Sequence, residues 1–425
     1  MLPLSWALPA APQAVTPPAP AACDEHASAV SVTDFGAHGD RAGDNTQAFQ
    51  RALAHATQCG IRTVEVPAGD YDFSVSGPSR GLLLPSNIVL LGDGAGQSVL
   101  RVTGDAPGAN FASLFWARNQ DQIEIRGLSF IGNNVPVHDA AGRPLNSYGT
   151  ALTVALDAAP AAGLGVPRSL AHFLIADCSF ENFNGAAWIS VINYNDRFVI
   201  DDIEIRDNHF TSHEGNAINP ASIAYPANAI SVMGSQTSAA GLVTNVRIHG
   251  NTIEARHLKG GVAIWSGVRG ATVSDNNILD AGADPAIPDN TGAYAVTVYN
   301  NAYFHDAAHA YGAPMGGILP DDVHVERNRI ANPRSCGVYA ASADRLWVVD
   351  NEISGQTDGQ NWTLPKGAIA LNHPHEATVT GNRISTSHIG MTLLPADHGR
   401  IIESGNTISA VPPGGVRIFP ARPAN

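Results

Sequence analysis

Residues 271–278 read ATVSDNNI, and the same eight-residue phrase recurs along the chain. It returns as IEIRDNHF at 203–210, VRIHGNTI at 246–253, VHVERNRI at 323–330, LWVVDNEI at 346–353 and ATVTGNRI at 377–384. Each copy is a short alternating strand, an Asn, one variable residue, then Ile or Phe. The Asn stands at 208, 251, 276, 328, 351, 382 and 406, with gaps of 43, 25, 52, 23, 31 and 24. Repetition at such a period is the mark of a solenoid. The short gaps suit one coil of three strands, and the long ones a coil with an inserted loop. Degenerate copies stand earlier, IEIRGLSF at 123–130 and FLIADCSF at 173–180. Asn suits this position because it tolerates a left-handed turn. Its amide can also bond the Asn amides of the coils above and below, which predicts an internal ladder.

A second strand follows each Asn strand, at 151–156, 189–192, 229–233, 262–265, 295–299, 338–341, 368–371 and 391–394. Side chains alternate between faces along a strand. Alternation turns Val262, Ile264, Val296, Val298, Val338 and Ala340 inward. It turns Ala263, Trp265, Thr297, Tyr299 and Tyr339 outward, with Asp157 and Asn372 in the outward set.

Composition agrees with a β-rich, turn-rich chain: of 425 residues, 15% are charged, 42 are Gly and 28 are Pro. Lys+Arg number 24 against 38 Asp+Glu, a net charge of -14. That balance argues against nucleic acid, whose binding needs basic residues to displace counterions. No apolar run approaches the roughly 20 residues that span a bilayer. Residues 1–29 read as a signal-like or disordered Ala/Pro-rich segment, which implies a secreted or periplasmic protein. Residues 30–412 read as the repeat domain and 413–425 as a tail. Cys23 and Cys59 bracket the first segment of the fold and can pair in an oxidising compartment, whereas Cys178 and Cys336 read as buried small hydrophobes.

The opening segment runs Val32-Thr33-Asp34-Phe35-Gly36-Ala37, Gly39-Asp40, Asp44-Asn45-Thr46, Ala48-Phe49-Gln50 and Val64-Glu65-Val66-Pro67-Ala68-Gly69-Asp70-Tyr71. It resembles the N-terminal cap of the pectate-lyase superfamily of right-handed β-helix proteins. The resemblance, extended by the Asn coils, runs over nearly all residues from 30 to 410. It implies an all-β fold: a right-handed single-stranded parallel β-helix, three sheets per coil, with a short N-terminal capping helix. Residues 44–46 give the helix its start, and 46–57 show helical spacing at Phe49, Leu53 and Ala56. Such a helix would cover the open end of the solenoid. The family places the Asn between its second and third sheets, so Trp265 and Tyr299 fall on the first. In related enzymes that sheet floors the substrate cleft.

The superfamily hosts polysaccharide lyases, glycoside hydrolases, transferases, uronan C5-epimerases and glycan-binding tailspikes, as monomers or homotrimers, so the chemistry rests on the site. Lysis of a uronate-containing glycan by β-elimination needs a base, a cation beside the carboxylate and an acid for the leaving oxygen. The cationic stretch Arg256-His257-Leu258-Lys259 leads into a first-sheet strand. It offers Lys259 or His257 as base and Arg256 as carboxylate neutraliser, with Tyr299 as acid or sugar platform. Hydrolysis needs two carboxylates across a cleft, for which Asp157, Asp196 and Glu214 are candidates. Trp265, Tyr299 and Tyr339 are expected as an aromatic platform for sugar rings. The inserts 303–317 (with His305, His309 and Tyr311) and 359–366 are expected to wall the cleft. Asn372-His373-Pro374-His375-Glu376 is similar to the Asp-Pro-His-Glu motif of alginate C5-epimerases, with His373 in place of the Asp. That makes Asn372, His373 and His375 candidates for substrate binding. No cofactor motif is visible, and a divalent cation such as calcium held by dispersed Asp would leave no local pattern.

Overall fold

A computed structural model describes residues 23–24, 26–74, 81–103, 113–133, 149–160, 165–183, 185, 187–213, 228–285, 287, 293–300, 317–356, 367–386, 389–396, 399–410 and 416–418. Glu214, His305, His309, Tyr311 and the insert 359–366 lie outside these residues, as does most of the Ala/Pro-rich segment.

The chain coils through three parallel sheets in turn. The first sheet has 11 strands and the second and third have 12 each, and each sheet takes every third strand of the central coils. Neighbouring coils are in register: Val246 pairs Ala271, which pairs Val323. In the third sheet Phe130, Phe180, Phe210, Ile253, Ile278, Ile330, Ile353 and Ile384 pair in one continuous inward row. This row is the Ile-or-Phe position of the repeat. Its aromatic part stacks nearly flat, Phe130 on Phe180 at 4.9 Å and Phe180 on Phe210 at 4.8 Å between ring centroids.

The Asn ladder forms as expected. The Asn208 amide donates to Asn251 Oδ1, and the relay continues through Asn276, Asn328, Asn351 and Asn382 to Asn406 at 2.8–3.0 Å. Each turn differs from expectation in one respect. The left-handed residue is the one before the Asn: Asp207, Gly250, Asp275, Arg327, Asp350, Gly381 and Gly405 all have φ between 53° and 68°. That residue absorbs the turn, which leaves the Asn free to send its amide inside. Cys178 takes the Asn position one coil earlier, and its backbone N–H donates to Asn208 Oδ1. Cys178 and Cys336 are both buried free thiols, as expected.

The capping helix α1 runs Thr46–Cys59 and buries Ala48, Phe49, Ala52, Leu53 and Ala56. Just before its start Asp44 Oδ1 accepts from Thr46 N at 3.0 Å, while the N-cap residue Asn45 makes no side-chain cap bond. Asn45 instead accepts from His38 N. Gly39 and Gly69 touch backbone to backbone, so a Cβ on either would collide with the other. A disulfide joins Cys23 to Cys59. At the far end Val416–Ile418, within the segment read as a tail, adds the last first-sheet strand. Among the described residues no helix is long and apolar enough to cross a membrane.

Candidate functional site

The first-sheet strand Gly260–Ile264 is entered from the turn that carries Arg256, His257 and Lys259. The turn is pinned from two sides. Ser212 Oγ accepts from His257 N at 3.0 Å, and Arg256 O accepts from Asp284 N at 3.0 Å. His257 Nδ1 lies 2.7 Å from Asp284 Oδ2, and the carboxylate is almost wholly buried. A buried carboxylate beside one ring nitrogen fixes the orientation of the imidazole. Arg334 fastens the Asp284 loop from the next coil by donating to the carbonyls of Asp284 (3.2 Å) and Ile287 (2.6 Å). Arg256 is exposed and makes no ion pair among the described residues.

Lys259 is only 3% exposed. Burial disfavours the ammonium, and its pKa falls from the ordinary 10.5 to about 8. A lysine poised there holds a substantial fraction of free amine at mildly alkaline pH. Its carbonyl accepts from Tyr294 N at 2.9 Å. Tyr294 pairs Gly260 in the next coil, so it stands one strand away at the same end of the sheet. Its ring stacks on Tyr339 at 4.5 Å and 14°.

The sequence reading put Tyr299 with Lys259, and the structure separates them. Tyr299 lies one residue beyond the Ile264–Val298 pair, level with Trp265. Six residues of strand put roughly 20 Å between Lys259 and that level. Tyr294, which the sequence reading passed over, stands at the Lys259 end of the sheet, with its ring and hydroxyl buried in the outer cluster. Strict alternation would turn it inward. Ala295 and Val296 both enter the core, however, so the alternation breaks and Tyr294 emerges outside. Asp284 was also missed, since an acidic residue in a Gly-rich turn carries no local signal of its partner.

The expected open aromatic platform is likewise corrected. Trp265, Tyr299 and Tyr339 do leave the core, but they are 6%, 1% and 0% exposed. With Ala263, Tyr294, Cys336, Ala341 and Ala370 they form a second apolar cluster on the outer side of the first sheet. Trp265 and Tyr299 lie 4.1 Å apart at 50°. Large rings beside small neighbours gain more by covering one another than by facing water. The Trp265 indole N–H is buried and finds no acceptor among the described residues.

Two of the carboxylate candidates, Asp157 and Asp196, are engaged elsewhere. Asp157 is buried, takes a 2.5 Å ion pair from Arg118 and accepts from the Asn119 amide at 3.1 Å. Asp196 is an exposed turn cap. Hydrogen bonds from Ser235 and Thr237 hold its carboxyl below the usual range, so it stays ionised. Asp196 is thus not available as the protonated acid of a hydrolytic pair. Asn372 is fully buried at the exit of its strand and meets His373 Nδ1 at 2.7 Å. His375 is exposed, turned toward Asp344 at 3.1 Å and already at the start of the second sheet. The motif thus splits across a corner, far from Lys259. Among the described residues no group of three or more His, Cys, Asp or Glu gathers as for a metal ion.

Residues 29–141 match a family described as rhamnogalacturonase A/epimerase, pectate lyase-like. Together with the coils this defines the class: a right-handed parallel β-helix opening on a pectate-lyase-like segment. Mannuronan C5-epimerase AlgE1 of Azotobacter vinelandii is 44% identical over 133 residues, covering 27% of this chain and 9% of that protein. Alginate lyase 7 of the same organism is 38% identical over 103 residues, covering 23% and 12%. The chain therefore matches only a small part of these relatives. Among solved structures, the A-module of mannuronan C5-epimerase AlgE4 from Azotobacter vinelandii covers 93% of this chain and 98% of its own. It has a TM-score of 0.51 and 16% identity, a likeness of fold.

Proposed function

We propose that this protein is a secreted or periplasmic enzyme that cleaves a 1,4-linked uronan by β-elimination, with Lys259 as the base. The observation that carries the reading is the buried lysine, its pKa brought to about 8 in a turn that also holds Arg256 and an oriented His257. The free amine of Lys259 takes the C5 proton. The C5–H electron pair moves toward the carboxylate, whose charge the Arg256 guanidinium offsets. Collapse forms the C4=C5 bond and breaks C4–O4, and water gives a proton to the leaving oxygen. His257, held by Asp284, orients the sugar. The Cys23–Cys59 bridge supports an oxidising location.

A second reading, C5 epimerisation, shares the first step and ends by reprotonating C5 from the other face. The similarity to mannuronan C5-epimerases favours it. Hydrolysis loses support because Asp157 and Asp196 are already bonded. The test is incubation with mannuronan, polyguluronate and polygalacturonate in heavy water. Ultraviolet absorbance of the unsaturated uronate and new reducing ends rising together support elimination. Deuterium at C5 without new ends supports epimerisation. New ends without absorbance, or no change on any uronan, would overturn both.

A further inference from the structure

The second sheet, a different face of the solenoid, carries a slot that the site above does not use. Near the C-terminal end Trp347, Thr378 and Ile402 pair across three successive strands. Trp347 lies flat against His324 of the preceding coil, at 4.3 Å and 5°. A ring so placed stands across the solenoid axis, so its other face looks over Thr378 toward Ile402. Strands two apart are separated by about 9.6 Å. Thr378 is small, so the gap between the Trp347 ring and Ile402 admits one further ring at van der Waals distance from each. Ile402 is 42% exposed, a large apolar residue that no other described residue covers.

The adjoining row is charged: Arg345, Glu376 and Arg400 pair across the same strands and line the same depression. Arg345 is held by Asp321, with contacts of 2.7 and 2.9 Å. Arg400 is exposed and makes no ion pair among the described residues. The depression is shallow and open to solvent, lined by both rows. An aromatic face, a ring-wide gap and an unengaged guanidinium suit a pyranose bearing a carboxylate.

We infer that this slot is a second, non-catalytic binding site for one uronate residue of a polysaccharide chain, on a face separate from Lys259. The choice of uronate rests on the function proposed above. A site there holds the polymer while the first sheet acts on another stretch of it, or on another chain, and raises the local concentration of substrate.

The experiment is affinity electrophoresis of the full chain through gels containing mannuronan, polyguluronate, polygalacturonate or a neutral glucan, with the Lys259→Met protein so that the polymer stays intact. Trp347→Ala removes the stacking face, and Thr378→Trp fills the gap from an outward position that the fold tolerates. Both are expected to weaken retardation by at least threefold in a uronan gel, while turnover of a short oligouronate by the otherwise native enzyme stays within twofold. Equal retardation of all three proteins, or no retardation in any uronan gel, would overturn the site. So would a change of oligomeric state with Trp347→Ala, since the face would then be a contact between protein chains. Failure of the catalytic reading shows separately, as absence of turnover with retardation unchanged.

Discussion

At the scale of single residues, Lys259 carries the most weight. The cationic turn was legible in the sequence because Arg256, His257 and Lys259 crowd together in a cation-poor chain. The depressed pKa was not, since it comes from burial by coils distant in sequence. Tyr294 was hidden for a related reason: its direction depends on a break in alternation where Ala295 and Val296 both enter the core. With its pKa at about 8, Lys259 is expected to make kcat/KM rise with pH up to about 8 and then level. Lys259→Met is expected to lower kcat by about 100-fold or more while leaving the thermal midpoint at neutral pH unchanged or higher, because an ammonium is no longer buried. The linkage has a definite sign. Between about 8 and 10.5 the unfolded chain binds more protons at this site than the folded one, so this group makes stability rise with pH across that window. Lys259→Met should remove that rise, which denaturant titrations at pH 8 and 10 would read. Tyr294→Phe and Tyr299→Phe, both inside the covered outer cluster, should each change kcat by less than about threefold.

At the scale of elements, the repeat was readable because one turn recurs with one chemical requirement. The Asn ladder and the Ile-or-Phe row are both periodic, and periodicity survives inserted loops. What did not transfer was exposure. Period two gives the side of the sheet on which a residue lies, and Trp265, Tyr299 and Tyr339 do lie outside the core. It does not say what then covers that side. The ladder itself can be tested at its centre. Asn276 donates to Asn328 Oδ1 at 3.0 Å and to Ile248 O at 2.9 Å, and its own Oδ1 accepts from the Asn251 amide at 2.9 Å. Asn276→Ala leaves buried groups on both neighbouring coils without partners, each costing about 1–3 kcal/mol. Denaturant unfolding should show a loss on the order of 2–4 kcal/mol, against about 0.5 kcal/mol or less for substitution of the exposed Arg256. A loss below about 1 kcal/mol would mean that the ladder sets the register of the coils rather than their stability.

At the scale of the whole molecule, a solenoid is held together by nearest neighbours and opens from its ends. The N-terminal end is closed by α1, where Phe49 meets Tyr71 at 5.8 Å and Phe73 at 4.9 Å, both edge to face. The Cys23–Cys59 bridge ties the last residue of that helix to the chain before the first strand, across a sequence separation of 36. Loop-closure entropy for that length is worth roughly 4 kcal/mol. Because the coils are coupled only to their neighbours, the gain is local, and its loss should spread inward from the cap. Reduction, or Cys59→Ser, is therefore expected to strip hydrogen-exchange protection first from residues 29–66, while the Asn-ladder coils near Asn276 keep theirs. Cys178 and Cys336 provide the internal control. Burial pushes both thiols up to about 12, so neither should react with an alkylating reagent until the central coils open. Alkylation of Cys178 together with loss of cap protection would mean that cap and coils unfold as one unit, and that the bridge guards the whole solenoid. Unchanged exchange after reduction would mean that the packing of Phe49 under α1 closes the end without it.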